Sequence, residues 1–196
     1  QLIETVVTES TVPVIETGAG VVHIFVDATA RADWTREIIV NAKAQRPSVC
    51  NAVETVLVHR DALGLVPDLL DALEGAGVTV HGDETISGLS PRVVAATDDD
   101  WSTEYLSLDL AMRVVDGIDE ALTHIRTYST HHTEAIITDD PAAAERFLAE
   151  VDYASLGLHA HEAHRVFRFV FDVAAPHVWL DCFRNAGLRG SFTVVL

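Results

Sequence analysis

Cysteine is scarce in this sequence: its 196 residues contain two, Cys50 and Cys182. Neither belongs to a C-x-x-C pair, and no cysteine–histidine group has zinc-finger spacing. A disulfide framework and a structural zinc site are therefore excluded as organising principles. Cations are scarce as well, with 13 Lys and Arg against 30 Asp and Glu, a formal net charge of −17. Such a surface repels phosphate backbones and anionic headgroups, which argues against nucleic acid and against docking on a membrane. No run of about 18 apolar residues is present, so no segment reads as a membrane span. The opening Gln1-Leu2-Ile3-Glu4-Thr5 has neither a basic nor an apolar signal region and no initiator Met. The expectation is a piece of a longer cytoplasmic protein. There is no internal repeat and no low-complexity linker.

What is present is an ordinary globular composition, 48% hydrophobic and 22% charged, long enough to bury a substantial core. Thr11–Ile15 and Val21–Asp27 read as strands, the second nearly continuous in apolar residues, as suits a sheet covered on both faces. Ala32–Gln45 reads as a helix with Trp34, Ile38, Ile39 and Ala42 on one stripe, ended by Arg46-Pro47. Val53–His59 is the next strand. Asp61 is placed to cap a helix to about Glu74, with Leu65, Leu69, Leu70 and Leu73 as its apolar face. Val78–His81 is a short strand, and Gly82–Asp100 reads as a polar loop. A strand through Met112–Val115, a helix opened by Asp116 or Asp119, a strand Glu134–Thr138 and a helix from Asp140-Pro141 follow. The alternation predicts an α/β fold, a three-layer α/β/α domain with a largely parallel sheet. Composition changes near Gly157. Residues 1–157 read as one domain and 158–196 as a divergent tail, rich in histidine and aromatics. In that tail Phe167, Phe169 and Phe171 alternate as on a strand edge open to a second chain.

Cys50 lies where a helix ends and a strand begins, in Arg46-Pro47-Ser48-Val49-Cys50-Asn51-Ala52. A loop gives a thiol reach to substrate, and Arg46 and free peptide N–H groups can favour the thiolate. The chemistry alone leaves two readings open, because a lone cysteine also serves as a small buried hydrophobe. His131-His132 and His159-Ala160-His161 define no metal geometry, and no metal is expected.

The strings Val12-Pro13-Val14-Ile15-Glu16-Thr17-Gly18, Asn41-Ala42-Lys43 and Gln45-Arg46-Pro47-Ser48-Val49-Cys50-Asn51-Ala52-Val53-Glu54-Thr55 resemble the gamma-glutamyl phosphate reductases of the aldehyde dehydrogenase superfamily. Thr103-Glu104-Tyr105-Leu106 and His132-Thr133-Glu134-Ala135-Ile136 continue the resemblance, which ends near residue 155. It implies an aldehyde dehydrogenase catalytic-domain-like fold with Cys50 as nucleophile. It also implies NADPH-dependent (NADP as cofactor) reduction of L-glutamyl 5-phosphate to L-glutamate 5-semialdehyde in proline biosynthesis. Glu16 falls near the glutamate base of aldehyde-oxidising relatives. Glu104 falls where relatives hold the nicotinamide ribose. Arg46, Asn51 and His132 are candidates for contact with substrate. The family's Gly-rich cofactor elements are expected before residue 1, so the chain alone is expected not to complete the reaction. Two alternatives come with this reading. One is a non-catalytic fragment or homo-oligomerisation module using residues 158–196. The other is a cofactor-free thiol enzyme, with His23, His81 or His132 brought to Cys50.

Overall fold

A computed structural model describes residues 5, 9–10, 19–151, 155–160, 166–171 and 191–194, the last three stretches as backbone alone. The apolar runs form β1 (Val22–Val26), β2 (Val53–His59), β3 (Thr79–Gly82), β4 (Val94–Ala95), β5 (Asp109–Val115) and β6 (Thr133–Thr138), followed by β7 (Ser155–Ala160), β8 (Val166–Phe171) and β9 (Ser191–Val194). The strand order is β4-β3-β5-β2-β1-β6-β7-β8-β9. Every pairing from β4 to β7 is parallel. β8 then runs antiparallel to β7, and β9 parallel to β8. Because β8 is paired on both sides, it is not a sheet edge. The side chains of Phe167, Phe169 and Phe171 lie outside the described residues, as does the expected strand Thr11–Ile15.

The strands are apolar on both faces because each face has its own core. Ile24, Val26, Val56, Val58 and Ile137 point to one side, where α1 (Ala32–Ala44) packs through Ile38 and Ile39 and α2 (Val66–Gly75) through Leu69, Leu70 and Leu73. Phe25, Leu57 and Ile136 point to the other, toward the last two helices, Ile118–Tyr128 and Pro141–Glu150. The period of two along each strand sends neighbours to opposite faces, so a strand between two helical layers has no polar side to offer. The three-layer α/β/α arrangement is thus the one expected from the sequence.

Two expectations need correction. Asp61 does not cap a helix; residues Arg60–Leu65 form a 3-10 turn in which the Asp61 peptide N–H donates to His59 Nδ1 at 3.0 Å. The α-helix starts only at Val66, with Pro67 in its first turn, where a missing N–H costs nothing. The stretch Gly82–Asp100 is not plain loop. It holds α3 (Glu84–Leu89), β4 and a 3-10 turn over Asp98–Ser102. Asp83 caps α3 by accepting from Ile86 N at 2.9 Å, and its other oxygen accepts from Val114 N at 2.8 Å, tying the helix to β5. Thr97 and Asp100 form a reciprocal capping box. The helices in chain order are completed by α4 (Ile118–Tyr128) and α5 (Pro141–Glu150), the latter capped by Asp140 through Ala142 N as its sequence suggested.

Candidate active site

Four adjacent parallel strands, β5-β2-β1-β6, enter the sheet at one edge. Just before each of them lies a residue of interest. Glu104 precedes β5, Cys50 precedes β2, Gly20 precedes β1 and His132 precedes β6. The parallel topology therefore gathers residues more than a hundred positions apart. The edge is the amino end of the strands, whereas ligands of open α/β sheets usually meet the carboxyl end.

Cys50 sits half-buried in the second of two successive tight turns. Val49 N donates to Arg46 O at 3.4 Å and Ala52 N to Val49 O at 3.0 Å, so Cys50 and Asn51 are the central residues of the second turn. Gly20 is pressed against this turn. A Cβ built on it would come to 1.8 Å from the Cys50 carbonyl oxygen, so only a glycine fits. The Gly20 peptide N–H donates to Glu104 Oε1 at 2.8 Å, and Val21 N donates to Thr130 Oγ1 at 3.0 Å. Burial pushes the Cys50 thiol up from its ordinary value; its own peptide N–H opposes this and the Glu104 carboxylate adds to it. Burial lowers His132, against the pull of Glu104 and Glu134. Its Nδ1 lies 2.7 Å from Thr133 Oγ1.

Behind the two loops lies a buried pair. Lys43 Nζ meets Glu54 Oε2 at 2.6 Å, with both side chains fully inaccessible. Burial drives Glu54 up and Lys43 down, and their mutual attraction opposes both shifts. The peptides of Leu106 and Tyr105 also favour the Glu54 carboxylate, although Oε1 makes no hydrogen bond of good geometry. Tyr105 continues outward: its hydroxyl donates to Asp100 at 2.5 Å, and burial raises it further from ionisation. His81 stands between Asp100 at 3.3 Å and Asp109 at 3.1 Å. Within β1, His23 Nδ1 lies 3.2 Å from Glu134 Oε2 without hydrogen-bond geometry, and that oxygen accepts instead from the His23 peptide N–H at 3.1 Å. His23 packs edge-on against His124, which burial holds neutral down to about 3.

The chain spans 82% of its own length, but 37% of the relative's, in an alignment of 161 residues at 60% identity with the gamma-glutamyl phosphate reductase of Clavibacter michiganensis. The solved structure of gamma-glutamyl phosphate reductase from Thermotoga maritima superposes with a TM-score of 0.76 at 45% identity, covering 81% of this chain and 38% of that one. The chain is homologous to one segment of the gamma-glutamyl phosphate reductases. At the level of fold alone, an acetylating aldehyde dehydrogenase from Geobacillus thermoglucosidasius superposes with a TM-score of 0.58 at 15% identity, covering 81% of this chain and 43% of that one. No family model matches the chain.

The structure groups Cys50 and Glu104 at one edge, with His132 in the field of the same carboxylate. Asn51 is placed in the Cys50 turn. Arg46 is exposed and forms no ion pair among the described residues, and it is not among the charges acting on the thiol. Glu16 lies outside the described residues. His81 is committed to two aspartates. Among the described residues, no group of three or more His, Cys, Asp or Glu could hold a metal ion, and no helix is long and apolar enough to cross a membrane. Gly20, Lys43 and Glu54 have structural roles that the sequence reading left unassigned. A signal for the pair was available: Glu54 stands among the buried residues of a central strand, and Lys43 continues the buried Thr35–Ile39 stripe of α1. A charge in either place needs a partner.

Proposed function

We propose that the chain carries the nucleophile side of a gamma-glutamyl phosphate reductase, acting in the cytoplasm in proline biosynthesis. The supporting observation is the seating of Cys50 at the shared strand edge, where Gly20 presses on its turn and Glu104 faces it. In this reading the Cys50 thiolate attacks the acyl carbon of L-glutamyl 5-phosphate. The C–S bond forms, the C–O bond to phosphate breaks, and inorganic phosphate leaves with the electron pair. The thiol proton goes to solvent or to a neighbouring base. A thiolate suits both this attack and the later departure of the sulfur. NADPH held beside Glu104 would supply a hydride, and Cys50 would carry the acyl group until L-glutamate 5-semialdehyde is released and the thiol restored.

Glu104 fits the cofactor side of that site. One of its oxygens is fixed by Gly20 N, and the carboxylate is only half-buried, which leaves an acceptor for ribose hydroxyls. Arg46, Asn51 and His132 are assigned to the substrate side. Residues 1–157 form the catalytic portion and 158–196 a tail through which copies of the chain associate. Hydride transfer draws on the cofactor elements of the whole family protein.

The test is to generate glutamyl 5-phosphate in situ and digest the chain for mass analysis. A hydroxylamine-labile glutamyl adduct on Cys50 is expected, accompanied by phosphate release and absent in Cys50→Ala. Wild-type protein without that adduct refutes the assignment. Turnover with NADPH against NADH then reports the nucleotide, and size exclusion with and without residues 158–196 reports association.

A further inference from the structure

We infer that Lys43 and Glu54 are a positioning pair that holds the Cys50 loop against the Glu104 loop and so sets the placement of the nucleophile. The inference rests on Cys50 being that nucleophile.

The pair closes the Cys50 loop at its base. Lys43 is the last residue but one of α1, and Glu54 is the second residue of β2. Everything between them is the loop that carries Cys50, apart from one residue of each element. Their 2.6 Å contact fixes the separation of the loop's two ends. The same pair reaches the second loop. Lys43 Nζ lies 5.7 Å from the centre of the Tyr105 ring and within the field of Glu104 and Asp109. Glu54 faces the peptides of Tyr105 and Leu106. Tyr105 is in turn pinned by Asp100, and Asp100 by His81 and Thr97. Glu104 leaves this anchored stretch to accept from Gly20 N, beside Cys50. Leu106 holds a left-handed backbone, φ 54°, which a leucine adopts only where its surroundings impose it.

Stability does not account for such a pair. Both charges are fully desolvated, and burial pushes each toward neutrality. Apolar residues of similar volume would serve as well or better in a core of this kind. What a charged contact adds over a packed one is a defined distance and direction between two particular atoms. Here those atoms lie behind both loops of the site.

The test separates stability from position. Lys43→Met/Glu54→Leu is made in the full chain, melting is followed by circular dichroism, and Cys50 alkylation by iodoacetamide is followed across pH by peptide mass analysis, which keeps Cys182 apart. The expected result is a melting temperature equal to or above wild type. The Cys50 midpoint should be displaced downward and the limiting alkylation rate raised at least about threefold, because the loop gains solvent and loses the nearby Glu104 charge. Amide exchange should rise in residues 46–52 and stay unchanged in β6. A double variant with the wild-type Cys50 rate–pH profile overturns the inference, as does a changed profile accompanied by faster exchange throughout the sheet. If the double variant does not fold, Glu54→Gln keeps the shape and removes the charge, and the same two outcomes decide. The glutamyl adduct on wild-type Cys50 is scored separately, so its absence refutes the proposed function while the alkylation profile still judges the pair.

Discussion

Gly20→Ala tests the close approach on which the site depends. The added Cβ would lie 1.8 Å from the Cys50 carbonyl oxygen, 2.7 Å from its carbonyl carbon and 3.1 Å from its Cα. All three are backbone atoms, so no side-chain rotation relieves the contact. An ordinary C···O contact is about 3.3 Å or more, so the Cys50 turn and β1 must separate by roughly 1.5 Å. Overpacking of this kind costs about 1–3 kcal/mol. The same movement strains the 2.8 Å bond from Gly20 N to Glu104, a charge-assisted bond worth about 1.5–3 kcal/mol. Against this, replacing glycine by alanine restricts the unfolded chain and returns only about 0.4–1 kcal/mol. The clash wins, and urea unfolding should show a loss of about 1–3 kcal/mol. On the role proposed for Cys50, a displacement of its sulfur by about 1 Å is also enough to cost roughly a hundredfold in acyl transfer, read as the rate of adduct formation on Cys50. A Gly20→Ala chain with unchanged unfolding midpoint and unchanged Cys50 chemistry would refute the contact and the site built on it.

Glu104→Gln keeps an acceptor for Gly20 N and removes the charge that helps raise the Cys50 thiol, so alkylation at pH 7.5 should speed up by roughly twofold or more. His124 is held neutral down to about 3, so the unfolded chain binds its proton first and stability falls as the pH drops from about 6.5 toward that value. This one group should cost about 2 kcal/mol between pH 7 and pH 5, a loss that His124→Phe removes when urea midpoints of the two proteins are compared. Asp83→Ala strips acceptors from Ile86 N and Val114 N together, and should cost about 1–3 kcal/mol in urea unfolding.

The parts of the fold legible in the sequence are those where one local signal decides. Ile24–Val26 and Val56–Val58 are apolar at consecutive positions, as suits a strand covered on both faces, and both lie in central strands. Asp140-Pro141 begins a helix for reasons confined to two residues. Gly82–Asp100 misled because its glycine, serine and aspartate content resembles loop. The same residues act there as caps: Asp83 for α3, and Thr97 with Asp100 for the 3-10 turn. Pro67 moved the start of α2 to Val66, overriding Asp61 as a capping residue. Cap chemistry and loop chemistry use one alphabet, and only the partner N–H tells them apart.

The site divides in the same way. Cys50 could be found from the string around it because that string is local. Its environment could not, since Gly20, Glu104 and His132 come from three other strand entries and meet only through parallel pairing. Arg46 shows the hazard of local reasoning: four residues from the thiol in sequence, its side chain is exposed, while the carboxylate that bears on the thiol is Glu104, from another strand entry. Lys43 and Glu54 show the opposite. They are eleven residues apart, on a helix and a strand, and nothing between them announces a pair. Yet each is a charge in a position whose neighbours are buried, Ile39 one turn before Lys43 and Val53 and Thr55 on either side of Glu54. Two such charges of opposite sign, flanking a single loop, have few ways to be satisfied in a core, and pairing across the base of that loop is the shortest. The catalytic candidate is thus legible from local sequence, while the residues that position it are legible only as misplaced charges.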